Sequence, residues 1–336
     1  MKVFTKSLSS LALITTFAAA PASADDFVIG LSNSYYGNTW RHIMVDAYEA
    51  AAEEAKTSGR IADFVTLNGD GSVEAQVAHI NDLILRGVDA ILVVAASETA
   101  LNGVVERACA AGILVVGFDN VPTAECAYKL TVDFQDYGTT TARGVADVMG
   151  GEGNLLVVRG MRGNGAENAI YSGQQNVLND NPGLNVVAEL FGEWSGPVAQ
   201  AEVANALPNL PHIDGVFAQG GGDAYGVLQA FLQSSDYAGD IPPISGGNST
   251  DFVNWWRQAN ADSGYSTVSA APDPSIGASA LWFALNILEG ATPEKVTPYP
   301  VTLLTDDDLA SLGDLPDNSV VSVERPESWV LENLLN

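Results

Sequence analysis

Residues 112–120 read GILVVGFDN. Five apolar side chains, Ile113, Leu114, Val115, Val116 and Phe118, are broken only by Gly117, and the run ends on Asp119-Asn120. A short β-branched run after a helix-like segment is the pattern of a parallel strand covered on both faces. Its last residues then lie at the carboxyl edge of the sheet, where open α/β sheets bind ligands. A carboxylate followed by an amide is suited to that edge: the first accepts two or more O–H bonds, the second donates and accepts. A turn aspartate that caps the next element is the alternative reading of Asp119.

Working outward, the same alternation recurs. Strands are expected at 28–31, 64–67, 90–95 and 113–118, with helices at 39–56, 73–85 and 100–111 between them. Arg86-Gly87 closes the second helix, and 130–132 adds a fifth strand. The series restarts with helices at 137–149, 166–178, 198–207, 223–233, 251–259 and 275–289, and strands at 155–158, 186–190, 216–218, 244–245 and 267–270. Two consecutive β-α series with short loops imply two doubly wound parallel-sheet lobes with right-handed crossovers. The chain is expected to pass between them near 133, 271 and 303, a multi-strand hinge. The expected division is 25–132 plus 271–302 for the first lobe and 133–270 plus 303–336 for the second. Asp306-Asp307-Asp308 lacks the spacing of an EF-hand loop and reads as a solvated helix start.

The ends and the composition set the context. Lys2 and Lys6 precede an apolar stretch over 8–20 and then Ala22-Ser23-Ala24, the layout of a cleaved signal peptide spanning 1–24. The stretch is too short to span a bilayer, and no cysteine follows it for a lipid anchor. Export to the periplasm as a soluble protein is expected. With 14 basic against 41 acidic residues, a net charge of −27, the surface repels phosphate backbones, so no nucleic-acid partner is expected. Cys109 and Cys126 bracket the 113–118 strand. An oxidising compartment permits a disulfide between them, and two buried free thiols are the other reading.

Unusual polar and aromatic residues cluster just after strands. SNSYYGNTWR (32–41) follows the first, Ser97 the third and Asp119-Asn120 the fourth. RGMRGN (159–164), GEW (192–194), QGGGD (219–223) and GGN (246–248) follow strands of the second series. If the two edges face each other, amides, carboxylates, guanidinium groups and indoles converge on one crevice. Flat aromatics beside planar polar groups suit a sugar or polyol, whose C–H faces stack while its hydroxyls find the polar network. Each residue also has a plain reading: Asn38 as a helix N-cap, Arg41 as a solvated helix residue, Trp40 and Trp194 as core aromatics.

The order of these motifs resembles the periplasmic sugar-binding proteins of the ribose/galactose type that serve ABC transporters. VIGLSNSYYGNTWR (28–41), LILRGVDAILVVAAS (83–97), AAGILVVGFDN (110–120), NLLVVRGMRGNG (154–165), DGVFAQGGGDAYG (214–226), PISGGN (243–248) and APDPSIGASA (271–280) carry the likeness. The resemblance implies two similar lobes joined by three hinge strands, with a sugar bound between them. It implies sugar contacts from Asn38, Trp40, Asp119 and Trp194. The sequence departs from the family elsewhere. Asn248 stands where an Asp is usual, and Asn120 where a basic residue is usual. Gly220 and Ala270 replace amides, and the second-lobe arginine expected near 168–170 is missing. Arg41, Arg162, Asn168 and Asp273 are the candidates for replacement contacts, and Ser97, just after the third strand, is a further expected ligand contact.

The three histidines, His42, His79 and His212, are in no nucleophile setting, and neither G-x-G-x-x-G after the first strand nor GxxxxGK[ST] is present. No enzyme activity, cofactor or metal is therefore expected. A repressor on the same core would carry a helix-turn-helix where the signal peptide stands. The expected function is delivery of a small sugar or polyol, by a monomer, to an inner-membrane ABC permease. A receptor serving chemotaxis or a sensor kinase is the alternative.

Overall fold

The computed structural model describes residues 27–220 and 222–335, so the expected signal segment 1–24 and the middle glycine of QGGGD lie outside the described residues. The first series contains β1 (Val28–Asn33), α1 (Thr39–Thr57), β2 (Asp63–Asn68), α2 (Val73–Arg86), β3 (Ala90–Val94), α3 (Asn102–Ala110), β4 (Leu114–Asp119) and β5 (Tyr128–Thr131). Every paired strand runs parallel, as short right-handed crossovers require. Strand β3 is buried along its whole length, which explains its unbroken AILVV. In β4, Gly117 leaves the space taken by Pro122, whose Cδ lies 2.5 Å from where a Cβ would sit. The break in the GILVVGFDN run is thus a close approach, not a bend. Gly87 ends α2 in the left-handed conformation (φ 68°) that glycine adopts without penalty.

The second series contains α4 (Phe134–Val148), β6 (Glu152–Arg159), α5 (Gly165–Asp180), β7 (Gly183–Phe191), α6 (Gly196–Ala206), β8 (Gly215–Ala218), α7 (Asp223–Gln233), α8 (Thr250–Ser263) and β9 (Ser269–Pro272). The parallel β7-β6-β8 sheet is extended by single bridges from Val216 to Ile244 and from Gly246 to Ser269. The strand expected at 244–245 is therefore only a bridge. Each lobe has cores on both faces of its sheet.

The chain then returns. Helix α9 (Ile276–Leu288) packs on α1, and β10 (Val296–Pro298) pairs with β5 at the edge of the first sheet, giving the order β10-β5-β4-β3-β1-β2. Strand β11 (Val301–Leu304) crosses back and pairs antiparallel with β9. The tail differs from expectation. Instead of staying with the second lobe from 303 onward, it crosses once more, and α10 (Glu327–Asn333) buries Val330 against the first lobe's core beside Leu334. Asp306–Asp308 is a single 3-10 turn closed by a capping box with Thr305, and its Asp306 accepts from Trp256 Nε1 at 3.0 Å.

Cys109 and Cys126 are joined in a disulfide with Cα atoms 6.3 Å apart. It ties the last turn of α3 to the loop after β4, so the bridged reading of the pair is the one realised. Among the described residues no helix is long and apolar enough to cross a membrane.

Candidate ligand-binding cleft

The carboxyl edges of the two sheets face one another across a cleft enclosing about 920 Å³ of empty space, its solvent-open mouth included. From the first lobe come Tyr35, Asn38, Trp40, Arg41, Asp119 and Asn120; from the second Phe134, Tyr137, Asn164, Glu193, Trp194 and Gln219. Ala271 and Pro272 of the connecting β9 form part of the wall.

The charged centre of the cleft is an ion pair. Arg41 Nη2 lies 3.1 Å from Asp119 Oδ2, with side chains only 14% and 10% exposed. Burial pushes the Asp119 carboxyl above its ordinary value, against the opposing pull of Arg41. Burial likewise lowers the Arg41 guanidinium, against the pull of Asp119. Arg41 Nη1 is buried with no hydrogen-bond partner, leaving a donor for a ligand oxygen. Asp119 adopts φ 59°, a left-handed conformation that asparagine and aspartate enter more readily than other residues besides glycine. That bend turns the end of β4 and brings its carboxylate to Arg41.

Trp40 is fixed by its indole, which donates to the Pro272 carbonyl at 2.7 Å and so bridges the first lobe to the hinge. Asn38 caps α1, accepting from Arg41 N at 2.9 Å, while it also lines the cleft. The plain reading and the cleft-lining reading of Asn38 hold together. Asn120 donates to the Ala95 carbonyl at 2.6 Å, so much of its capacity is spent in holding the β3 and β4 ends together. On the opposite wall, Glu193 and Trp194 have φ values of 57° and 54°. Strain of this kind persists where surrounding structure over-determines it. Here the Trp194 indole lies on Gly160, where a Cβ would come within 2.3 Å of Cε2. Gln219 holds the second-lobe loops together: its Oε1 accepts from Gly160 N at 2.9 Å and its Nε2 donates to Glu167.

Five expected ligand contacts do not reach the cleft wall. Ser97 accepts from Ala100 N at 3.2 Å and serves its own turn. Arg162 is exposed, with its guanidinium 3.4 Å from the centre of the Phe191 ring. Asn168 faces outward on α5 and donates to the Asn164 carbonyl. Asn248 is fully buried, donates to the Thr302 carbonyl at 2.7 Å and accepts from Ser269 Oγ at 2.6 Å. Asp273, also fully buried, accepts from Ser275 N (3.0 Å), Thr302 Oγ1 (2.9 Å), Ser322 Oγ (2.6 Å) and Val323 N (2.8 Å). The last two are hinge residues: their polar atoms join segments that cross between the lobes. Tyr35, Asn164, Glu193 and Gln219 line the cleft from stretches placed at the crevice without being named as contacts, and Phe134 and Tyr137 line it from outside those stretches. Gln219 heads the Gly-rich stretch after β8 and had a visible signal; Tyr137 and Phe134 sit at the start of α4 with none.

The described chain matches the model of the periplasmic binding protein domain over residues 29–292. The protein belongs to that family. A solved ABC transporter solute binding protein from Thermobispora bispora is 34% identical, with a TM-score of 0.84 over 92% of this chain and 95% of that one. The ribose import binding protein of Bacillus subtilis is 29% identical over 83% of this chain and 88% of its own length. A xylitol-binding protein of Mycolicibacterium smegmatis is 28% identical over 69% and 71%. A Bacillus halodurans solute binding protein solved with myo-inositol shares the fold, at 21% identity and a TM-score of 0.75 over 86% and 98%. These relatives are binding proteins rather than enzymes. The lobed periplasmic-binding-protein fold expected from the motif order is the one observed.

Proposed function

We infer that this periplasmic binding protein is exported, captures a small sugar or polyol between its lobes and presents it to an ABC-type import permease. The observation that carries the reading is one cavity walled by both lobes, with a buried ion pair on one side and indoles on both. A neutral polyhydroxylated molecule meets both needs of such a cavity. Its hydroxyls satisfy Arg41 Nη1 and the Asp119 carboxylate, and its C–H faces cover Trp40 and Trp194. Ligand contacts made to both lobes favour the closed arrangement, and the permease reads closure. In this reading residues 1–24 are the cleaved export signal and the carrier acts as a monomer. Of the described residues, the first lobe comprises 27–132, about 273–299 and the tail from about 326; the second comprises the others.

A thermal-shift screen of neutral pentoses, hexoses, deoxysugars and polyols tests the reading. A molecule that binds only the folded state raises the melting temperature, by about 2.7 kcal/mol of added stability at one hundred times Kd. At least one neutral sugar or polyol is expected to raise it in a saturable manner. A panel with no shift at millimolar concentration contradicts the assignment.

A further inference from the structure

We propose that the cleft is built for a polyol that carries an amino group, and that Glu193 is the residue that selects it. The inference rests on the carrier reading above and names the ligand class more narrowly.

Charge bookkeeping across the cleft gives the first observation. Three arginines stand near the two rims, and each is neutralised or diverted. Arg41 is paired with Asp119 at 3.1 Å. Arg159 is held by Glu167 at 2.7 Å and Glu189 at 3.5 Å. Arg162 is stacked on Phe191 and is absent from the cavity wall. Among the described residues of that wall, the one charged side chain besides the Arg41–Asp119 pair is Glu193, which is solvent-exposed as the cleft stands. Among the described residues, no hydrogen bond or ion pair joins its carboxylate to another group. An anionic ligand would add a second uncompensated negative charge as the lobes shut water out. A monocation would bring the cavity to neutrality, and charge-assisted hydrogen bonds are the stronger kind.

The second observation is the aromatic lining. Tyr35, Trp40, Phe134, Tyr137 and Trp194 all face the cavity. Rings beside a carboxylate are the composition that binds ammonium groups, because the ring face is electronegative. A neighbouring groove between the lobes carries two more carboxylates, Glu98 and Asp133. The backbone supplies a third observation. Glu193 is held at φ 57°, in a loop pinned by the Gly192 N to Arg159 O bond (2.8 Å) and the Ser195 N to Gly192 O bond (2.9 Å). The carboxylate therefore projects from a braced turn and not from a loose loop.

The test uses matched series, D-ribose with 2-amino-2-deoxy-D-ribose and D-ribonate, and D-glucose with D-glucosamine and D-glucuronate. Each is titrated calorimetrically at pH 7 into the wild type and into Glu193→Gln. The expected result is that the amine binds at least ~10-fold tighter than its neutral partner, and that the acid is the weakest member. In Glu193→Gln the amine-to-neutral ratio falls by at least ~5-fold. Neutral members binding as tightly as the amines, or a ratio untouched by Glu193→Gln, overturns the amine preference while the carrier reading stands. If neither these compounds nor the neutral panel binds, both fail.

Discussion

Asp119→Ala is expected to weaken binding of the cleft ligand at least ~10-fold while the protein stays folded. The carboxylate stands at the end of β4, 3.1 Å from Arg41 and at the wall of the cavity. A hydrogen bond to a charged group contributes roughly 1.5–3 kcal/mol, so each one lost costs ~10–150-fold in affinity. Alanine also strips Arg41 of its counter-charge inside the cleft, which disturbs the second donor a ligand needs. Because position 119 has φ 59°, alanine adds backbone strain of its own. Asp119→Asn, which tolerates that conformation, separates the two effects and should still lose affinity because the charge is gone. Calorimetry on variants with wild-type circular dichroism is the measurement. Unchanged Kd in both folded variants removes Asp119 from the ligand's contacts.

Asp273→Ala has the largest expected effect on stability, at roughly 3–5 kcal/mol, the usual cost of breaking a buried charged cluster. The carboxylate is fully buried and gathers donors from the segment after β9, from β11 and from the tail at Ser322 and Val323. These belong to three separate passages between the lobes, with Arg325 Nη1 a further 3.9 Å away. Removing the carboxylate leaves the Thr302 and Ser322 hydroxyls without their acceptor and the hinge segments without their common tie. Urea unfolding should show the midpoint fall sharply, and Asp273→Asn should recover part of the loss because it keeps an acceptor. A midpoint equal to that of the wild type would mean that the hinge is held by other contacts.

The contrast between Asp119 and Asp273 shows how far residue patterns reach. Both are acidic, both follow a buried strand, and both read as ligand contacts. Asp119 reaches the cleft because its partner Arg41 lies on the helix that starts beside it, within a motif visible in the sequence. Asp273 is drawn into the hinge by partners 29 to 50 residues further along the chain, which no local pattern announces. Asn248 is diverted in the same way, by Thr302 54 residues on. The regular elements were legible wherever apolar spacing and stop signals agreed. The helix expected at 223–233 has those bounds, and Gly87 stops α2 where its left-handed conformation is needed. Strands β10 and β11 escaped because they are three and four residues long, the first ending on Pro298 and the second preceded by Pro300. The tail's return escaped because α10 contributes only Val330 to the core as a fully buried side chain, too little for a periodic signal. The arginine lost from the second lobe could be noticed in the sequence. That Phe191 would hold Arg162 away from the cleft depends on packing across β7 and could not.

The most direct test is a crystal structure of the protein with the tightest-binding polyol found by thermal shift. The account predicts that molecule between the lobes, with hydroxyl oxygens within about 3 Å of Asp119 and Arg41 Nη1, and its ring or chain lying against Trp40 and Trp194. Density for the ligand anywhere outside that cavity, or a ligand held by one lobe alone while the Arg41–Asp119 pair stays untouched, would contradict it.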